Sequence, residues 1–245
     1  MTASGGPGPS KGAVVRGSWL VNSTLAGVTE PTTFRLHGRD WDLLPGVFAP
    51  THCVSTGFFT ESIPFPVGGS FLEVGCGAGV TAVTAAAKGC RSVVATDIND
   101  VAVTNTAYNA ARHGLSDRIE LYRGDVFDGI GTEKRFDLIF WNSPFIDASA
   151  GTGSATRPDR DERGQLRRAV FDPGYRAHER YLSGARSRLT ATGRLLLGFS
   201  DLGDHDSLRR LAARAGRRIT VLRTSQDLVP GVDYQLLELV PDDKQ

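Results

Sequence analysis

Beyond residue 66 the chain alternates short apolar runs with longer stretches of helical spacing. Phe71, Leu72 and Val74 make the first apolar run, which Gly75, Gly77 and Gly79 stop abruptly. Val80 to Lys88 is Ala-rich and free of Gly and Pro, which predicts a helix. Ser92 to Asp97 predicts a second buried strand ending on an acid. A helix from about Asn99 to His113 follows, with Val101, Ala102, Asn105, Tyr108 and Asn109 at helical spacings and Gly114 as its stop. Ile119 to Arg123 and Phe136 to Trp141 predict two more strands, the latter leading into Asn142-Ser143-Pro144-Phe145. Asp172-Pro173-Gly174 opens a helix through about Leu189, and Gly193 precedes a strand from Arg194 to Phe199. Asp206 to Ala215 predicts a helix whose arginines form its wet face. Arg217 to Arg223 and Tyr234 to Val240 predict an antiparallel pair, because Pro230-Gly231 breaks the connection. Strands and helices alternating over short loops predict an α/β fold: a doubly wound, seven-stranded, mostly parallel sheet with one antiparallel strand.

The first 66 residues lack this rhythm. Residues 1–12 are Gly/Pro/Ser-rich and read as a disordered tail. Residues 13–66 read as a small extension that covers the substrate side of the domain over 67–245. Within it Ala13 to Leu25 has no assigned structure. Thr33 to Leu44 predicts a hairpin turning at His37-Gly38-Arg39-Asp40, and Thr51 to Ile63 leads up to the glycine strand. Residues 148–168 are Gly/Ser-rich and then dense in charge. They predict a long mobile loop, either a solvated excursion or a lid over the strand ends.

Composition narrows the function classes. The 245 residues are 40% hydrophobic and 22% charged, with a net charge of +1, so no overall field argues for nucleic acid or a membrane. Cys53, Cys76 and Cys90 form no C-x-x-C pair, which fits a reducing cytoplasm, and no metal-ligand cluster is evident. No signal peptide, bilayer-spanning run or internal repeat is found. Oligomeric state is not encoded in any of these features.

Gly75, Asp97, Asp125 and Asn142 all fall just past strands, at the edge where ligands sit in parallel α/β sheets. An acid about 20 positions past the glycines suits a ribose, since a carboxylate accepts from both hydroxyls. A dinucleotide fingerprint would need glycine where Val80 stands. Glu73, immediately upstream, would repel a pyrophosphate but suits a cationic cofactor end, such as a methionyl ammonium beside a sulfonium. That favours S-adenosylmethionine over NAD.

Leu72 to Gly79 resembles motif I of class I S-adenosylmethionine-dependent methyltransferases. Ala102 through Asn109-Ala110-Ala111-Arg112-His113-Gly114-Leu115 to Asp128 is similar to the HemK-like (release-factor glutamine) N-methyltransferase group. The resemblance implies a Rossmann-like domain in which Glu73, Gly75, Cys76, Gly77, Gly79, Asp97 and Ile98 hold the cofactor. It also implies that Asp125 and Val126 border the adenine. Asn142-Ser143-Pro144-Phe145 resembles that group's Asn-Pro-Pro-Tyr/Phe motif, with Ser143 where proline is usual. It implies methylation of a planar nitrogen and contacts from Asn142 to both ligands.

The chemistry of that segment can also be argued directly. The lone pair of an amide or guanidino nitrogen is delocalised, so its N–H bonds must be oriented before it can attack a methyl group. The Asn142 side-chain carbonyl and the Ser143 main-chain carbonyl can accept two such hydrogens, and Phe145 can stack on the planar group. His52 and Glu61 read as ordinary polar groups, although Glu61 and Asp147 are acids near enough to pair with a cationic acceptor. The leading expectation is an N-methyltransferase for an amino-acid-like small molecule, arginine-like included. A protein-glutamine or nucleic-acid-base enzyme is the alternative, and a cofactor-binding regulator without turnover is a third reading.

Overall fold

The computed structural model describes residues 11–149, 161–226, 228 and 231–242. Its elements in chain order are α1 (Lys11–Gly27), β1 (Thr32–Leu36), β2 (Arg39–Leu43), α2 (Ser55–Ser62), β3 (Ser70–Val74), α3 (Val80–Ala87), β4 (Ser92–Asp97) and α4 (Asp100–Arg112). They continue with β5 (Ile119–Arg123), β6 (Phe136–Asn142), α5 (Glu162–Val170), α6 (Arg176–Gly184), β7 (Leu189–Ser200), α7 (His205–Arg214), β8 (Arg217–Thr224) and β9 (Tyr234–Pro241).

The main sheet has seven strands in the order β5-β4-β3-β6-β7-β9-β8, with β9 antiparallel to both its neighbours. The central strands are apolar on both faces because helices flank the sheet on either side. Phe71, Leu72, Leu138, Ile139, Phe140, Leu196 and Leu197 are all buried. The edge strands β5 and β8 instead carry charged, exposed positions, which blunts open edges. The strand order reverses between β3 and β4 on one side and β6 on the other, so the crevice for a ligand opens beyond β3.

The β1–β2 hairpin turns through His37 (φ 51°) and Gly38 (φ 71°), as a tight two-residue turn requires. Among the described residues it has no third strand. Helix α4 takes that place with side-chain amides. Asn109 Oδ1 accepts from Asp42 N at 2.7 Å and Asn105 Oδ1 from Leu44 N at 2.7 Å, while both amide nitrogens donate to Asp42 O. Arg112 forks onto the Asp42 carboxylate, which this guanidinium holds below the usual carboxylate range. Asn105 and Asn109 satisfy strand-edge groups that would otherwise be buried unpaired.

Several expectations change. Residues 11–27 form helix α1, and Thr51 to Ile63 contains helix α2. Phe59 of α2 packs on β7, where a Cβ at Gly198 would lie 2.7 Å from its ring. The tail expected over residues 1–12 lies outside the described residues up to residue 10, while Lys11 and Gly12 begin α1. The loop expected over 148–168 is partly helix. Asp161 caps α5 by accepting from Gly164 N, and residues 150–160 lie outside the described residues. The helix expected from Asp172 starts only at Arg176, because Gly174 (φ 66°) and Tyr175 (φ 52°) are left-handed.

Candidate functional site

The glycine turn takes its shape from three left-handed residues, Gly75 (φ 67°), Gly77 (φ 54°) and Gly79 (φ 81°), but they do different work. A Cβ at Gly79 would lie 2.9 Å from the Thr106 backbone, so this glycine lets α4 approach. A Cβ at Gly75 would lie 3.0 Å from the Trp141 indole nitrogen. At Gly77 a Cβ would meet nothing within 4 Å. Gly77 is therefore the glycine that faces open space, as a turn that admits a ligand requires.

Asp97 ends β4 beside that turn. Its Oδ2 accepts from Gly77 N at 2.9 Å and its Oδ1 from Asn99 N at 2.9 Å, and a carboxylate has room for further donors. Burial pushes its acidity down and its pKa up, against the backbone N–H groups of Asn99, Gly77 and Ile98. Just before it, Thr96 Oγ1 is buried without a hydrogen-bond partner among the described residues. Gly77 and Asp97 thus form a cradle with unfilled polar capacity, and this fits a ribose.

Glu73 sits differently from the sequence expectation. Its carboxyl is buried and turned into the first turn of α3, where Oε2 accepts from Ala82 N at 2.8 Å and Thr81 also bonds to it. Burial pushes its pKa up to about 8. Thr81 continues to Thr60 of α2 at 2.9 Å. Glu73 therefore caps α3 inside the protein, and any pull on a cofactor cation acts from beneath the glycine turn. Cys76 is buried, accepts from Thr106 Oγ1 at 3.2 Å, and has its thiol pushed up by burial.

In the segment expected to border the adenine, Gly124 N donates to Asp97 O at 2.9 Å, tying the residues after β5 to the end of β4. Val126 is buried at φ 58°, a left-handed conformation that costs a β-branched residue about 1–2 kcal/mol. Asp125 is partly exposed and forks onto Arg180 of α6 at 2.9 and 2.7 Å.

The segment expected to hold the acceptor lies one strand over. Parallel pairing sets Trp141 opposite Val74, so Asn142 follows directly beside the glycine turn. Asn142 Nδ2 lies 3.5 Å from Ser55 Oγ of α2, which leaves Oδ1 without a protein partner among the described residues. The Ser143 main-chain oxygen is also without one. Ser143 is far from slack: its N–H and hydroxyl both donate to Gly198 O, at 3.3 and 2.8 Å. The Phe145 ring is buried edge-on to Phe199 and Tyr234, so it serves the core more than it offers a stacking face. Of the acids considered for a cationic acceptor, Glu61 is paired with His37 at 2.6 Å, and Asp147 accepts from Ser149 and Gly174 N–H groups.

Sequence reasoning missed Ser55, Asp172, Tyr175 and His178, all of which touch the Asn142–Ile146 segment or hold its neighbours. No short motif marks them. The one available signal was the coincidence of a serine at position 143 with an Asp–His pair flanking a helix start.

Comparison with known proteins agrees with this fold. Residues 41–157 match the methyltransferase small domain. The ribosomal protein uL3 glutamine methyltransferase of Bradyrhizobium diazoefficiens is 40% identical over 78 residues, covering 31% of this chain and 24% of that one. The release factor glutamine methyltransferase of Nitratidesulfovibrio vulgaris is 29% identical over 167 residues, 66% of this chain and 55% of that one. The match thus spans a quarter to about half the length of these relatives. A T. thermophilus 16S rRNA methyltransferase solved with AdoMet and guanosine shares the fold, with a TM-score of 0.57 and 19% identity over 86% of this chain and 50% of that one. With the glycine turn at the switch point of a seven-stranded sheet and the methyltransferase small domain matched over residues 41–157, the chain is similar to the class I S-adenosylmethionine-dependent methyltransferases.

Proposed function

We propose that this chain is an N-methyltransferase whose acceptor is a planar amide nitrogen, a glutamine side chain on a protein. The observation that carries the reading is the pair of unpartnered carbonyl oxygens, Asn142 Oδ1 and Ser143 O, placed beside the Gly75–Gly79 turn by the β3–β6 pairing. When bound, S-adenosylmethionine supplies an electrophilic methyl group. Gly77 and Asp97 would line the cradle, with Ile98, Asp125 and Val126 along its adenine side. Asn142 and Ser143 accept the two N–H hydrogens of the acceptor amide and turn its nitrogen toward the methyl carbon. Transfer would form the nitrogen–methyl bond as the methyl–sulfur bond breaks, the sulfur keeping that electron pair as a neutral thioether, and the nitrogen would release one N–H proton to solvent. Orientation of this kind can supply about 7 kcal/mol of the barrier.

An amino-acid-like small molecule, the leading expectation from sequence, finds no support among the relatives, which are named for protein glutamine, ribosomal protein L11 or ribosomal RNA. The glutamine reading is preferred because both unpartnered acceptors suit an –NH2 group and the relatives matched over the longest stretches are named for glutamine.

Incubation with methyl-labelled cofactor and total cell protein or total RNA tests this reading. Label should enter protein, survive nuclease, and leave as methylamine on acid hydrolysis. Label confined to RNA, or found only on free amino acids, would overturn it.

A further inference from the structure

Behind the carbonyls proposed to hold the acceptor lies a buried polar chain that starts at the Ser143 side chain. Ser143 Oγ, which donates to Gly198 O, is 3.0 Å from His178 Nε2, and His178 Nδ1 is 2.7 Å from Asp172 Oδ2. The Asp172 carboxylate also accepts from Ala177 N at 3.1 Å and His178 N at 3.0 Å, so its orientation is fixed by the start of α6. Ser143, Asp172 and His178 are 2%, 5% and 0% exposed, so no water competes with these bonds. Trp141, Tyr175 and Phe199 enclose the imidazole, with ring centres 4.9, 5.0 and 5.8 Å away.

From these contacts we infer that His178 and Asp172 are positioning residues that fix the Ser143 carbonyl for the acceptor, acting through the Ser143 side chain. The inference rests on the methyl-transfer reading above. An Asp–His–Ser chain invites comparison with an activated nucleophile, but this hydroxyl is buried and gives its proton to a main-chain carbonyl. Its effect falls on its own backbone.

The same short segment grips the acceptor loop twice more. Tyr175 Oη donates to Phe145 O at 2.9 Å, and Asp172 N donates to Ile146 O at 3.0 Å. Residues 143, 145 and 146 are thus each tied to residues 172–178. A proline at 143 would fix φ covalently. Here hydrogen bonds from a helix 35 residues downstream do so instead. The Ser143 carbonyl then moves only if the start of α6 moves. Positioning errors near 1 Å can cost about a hundredfold in rate, so the relay has leverage on turnover while lying away from the cofactor cradle.

Ser143→Ala removes only the hydroxyl and His178→Gln keeps a polar nitrogen, so both should fold. Three measurements are needed: amide hydrogen exchange at Phe145 and Ile146, calorimetric affinity for S-adenosylmethionine, and rate of labelled-methyl transfer to total cell protein. Ser143→Ala should speed exchange at least tenfold and lower the maximal rate ten- to a hundredfold. Cofactor affinity and the KM for cofactor should stay within twofold. His178→Gln should have a smaller effect, and adding it to Ser143→Ala should change either readout by less than twofold, since the two act in series. Ser143→Pro should restore slow exchange and abolish the effect of His178→Gln. Unchanged exchange in Ser143→Ala, or independent multiplying effects of the two substitutions, would overturn the relay. Transfer to no protein at all, with the exchange coupling intact, would instead sink the methyl-transfer reading and leave the relay standing.

Discussion

The two halves of this site are held in place by different means. The cofactor half is made of short contiguous stretches at the ends of β3, β4 and β5, and its key bonds are local or between adjacent strands: Gly77 to Asp97, Asn99 to Asp97, Gly124 to Asp97. The acceptor half is assembled from distant segments. Asn142 meets Ser55, Ser143 meets Gly198 and His178, and Phe145 meets Tyr175, Phe199 and Tyr234. A cradle built at strand ends serves any chain with this sheet. The acceptor side can change through contributions from α2 and α6 with the cradle untouched. This division explains how a shared donor is matched to different recipients within one fold.

The sharpest break in that comparison is Asn142→Ala. Removing the carbonyl that orients an N–H of the acceptor should lower the maximal methyl-transfer rate by about a thousandfold, some 4 kcal/mol of barrier. Affinity for S-adenosylmethionine should hold within a few-fold. Loss of affinity in parallel with rate would merge the two halves and remove the orienting role.

Glu73 tests the cradle from below. Its folded pKa of about 8 lies above the ordinary glutamate value of 4.5, with burial as the leading cause. The stability held by the protonated form is fully present below about pH 4.5 and is lost as pH rises through 8. Each tenfold change in proton affinity is worth about 1.4 kcal/mol, so the cofactor-free protein should lose several kcal/mol over that window. Glu73→Gln should flatten the dependence in urea titrations at successive pH values. An equal slope in the variant would show that another group carries it.

Legibility in the sequence followed the same division. Strands β3 to β6 and the antiparallel tail could be read because buried parallel strands are short apolar runs and glycines mark their ends. Helix α1 could not, since its Gly17 lowers helix propensity. That glycine is kept because a Cβ there would lie 2.7 Å from the Phe171 ring and 2.9 Å from Ile146. Helix α5 hid in a charge-dense stretch whose buried contacts come only from Gly164, Leu166 and Val170. His178 was unreadable for a related reason: its meaning comes from a serine brought to it by the sheet.

Gly77 and Gly79 sharpen the cradle further because sequence treats them alike. Gly79→Ala adds a steric clash with Thr106 to left-handed strain and should cost about 2–4 kcal/mol by thermal or urea unfolding. Gly77→Ala meets no neighbour, so the strain alone should cost about 1 kcal/mol. Its larger consequence should be cofactor affinity, reduced at least tenfold by a methyl group in the open face. Equal stability losses at both positions would mean that the space above Gly77 is not a cradle.

The smallest effect expected lies at the edge proposed for the adenine, where Asp125 is paired with Arg180. If Asp125 turns to the cofactor, that pair competes with binding. The pair is partly exposed, the Arg180 side chain at 50% and the Asp125 side chain at 36%, so its net strength lies within about 1 kcal/mol. Arg180→Ala should therefore tighten S-adenosylmethionine binding by no more than about fivefold. Raising the salt concentration should shrink the difference, since screening weakens the same pair in the parent. A loss of affinity instead would place Arg180 on the cofactor itself. The cradle would then extend to α6, the helix that already holds the acceptor loop, and the two halves would share one support.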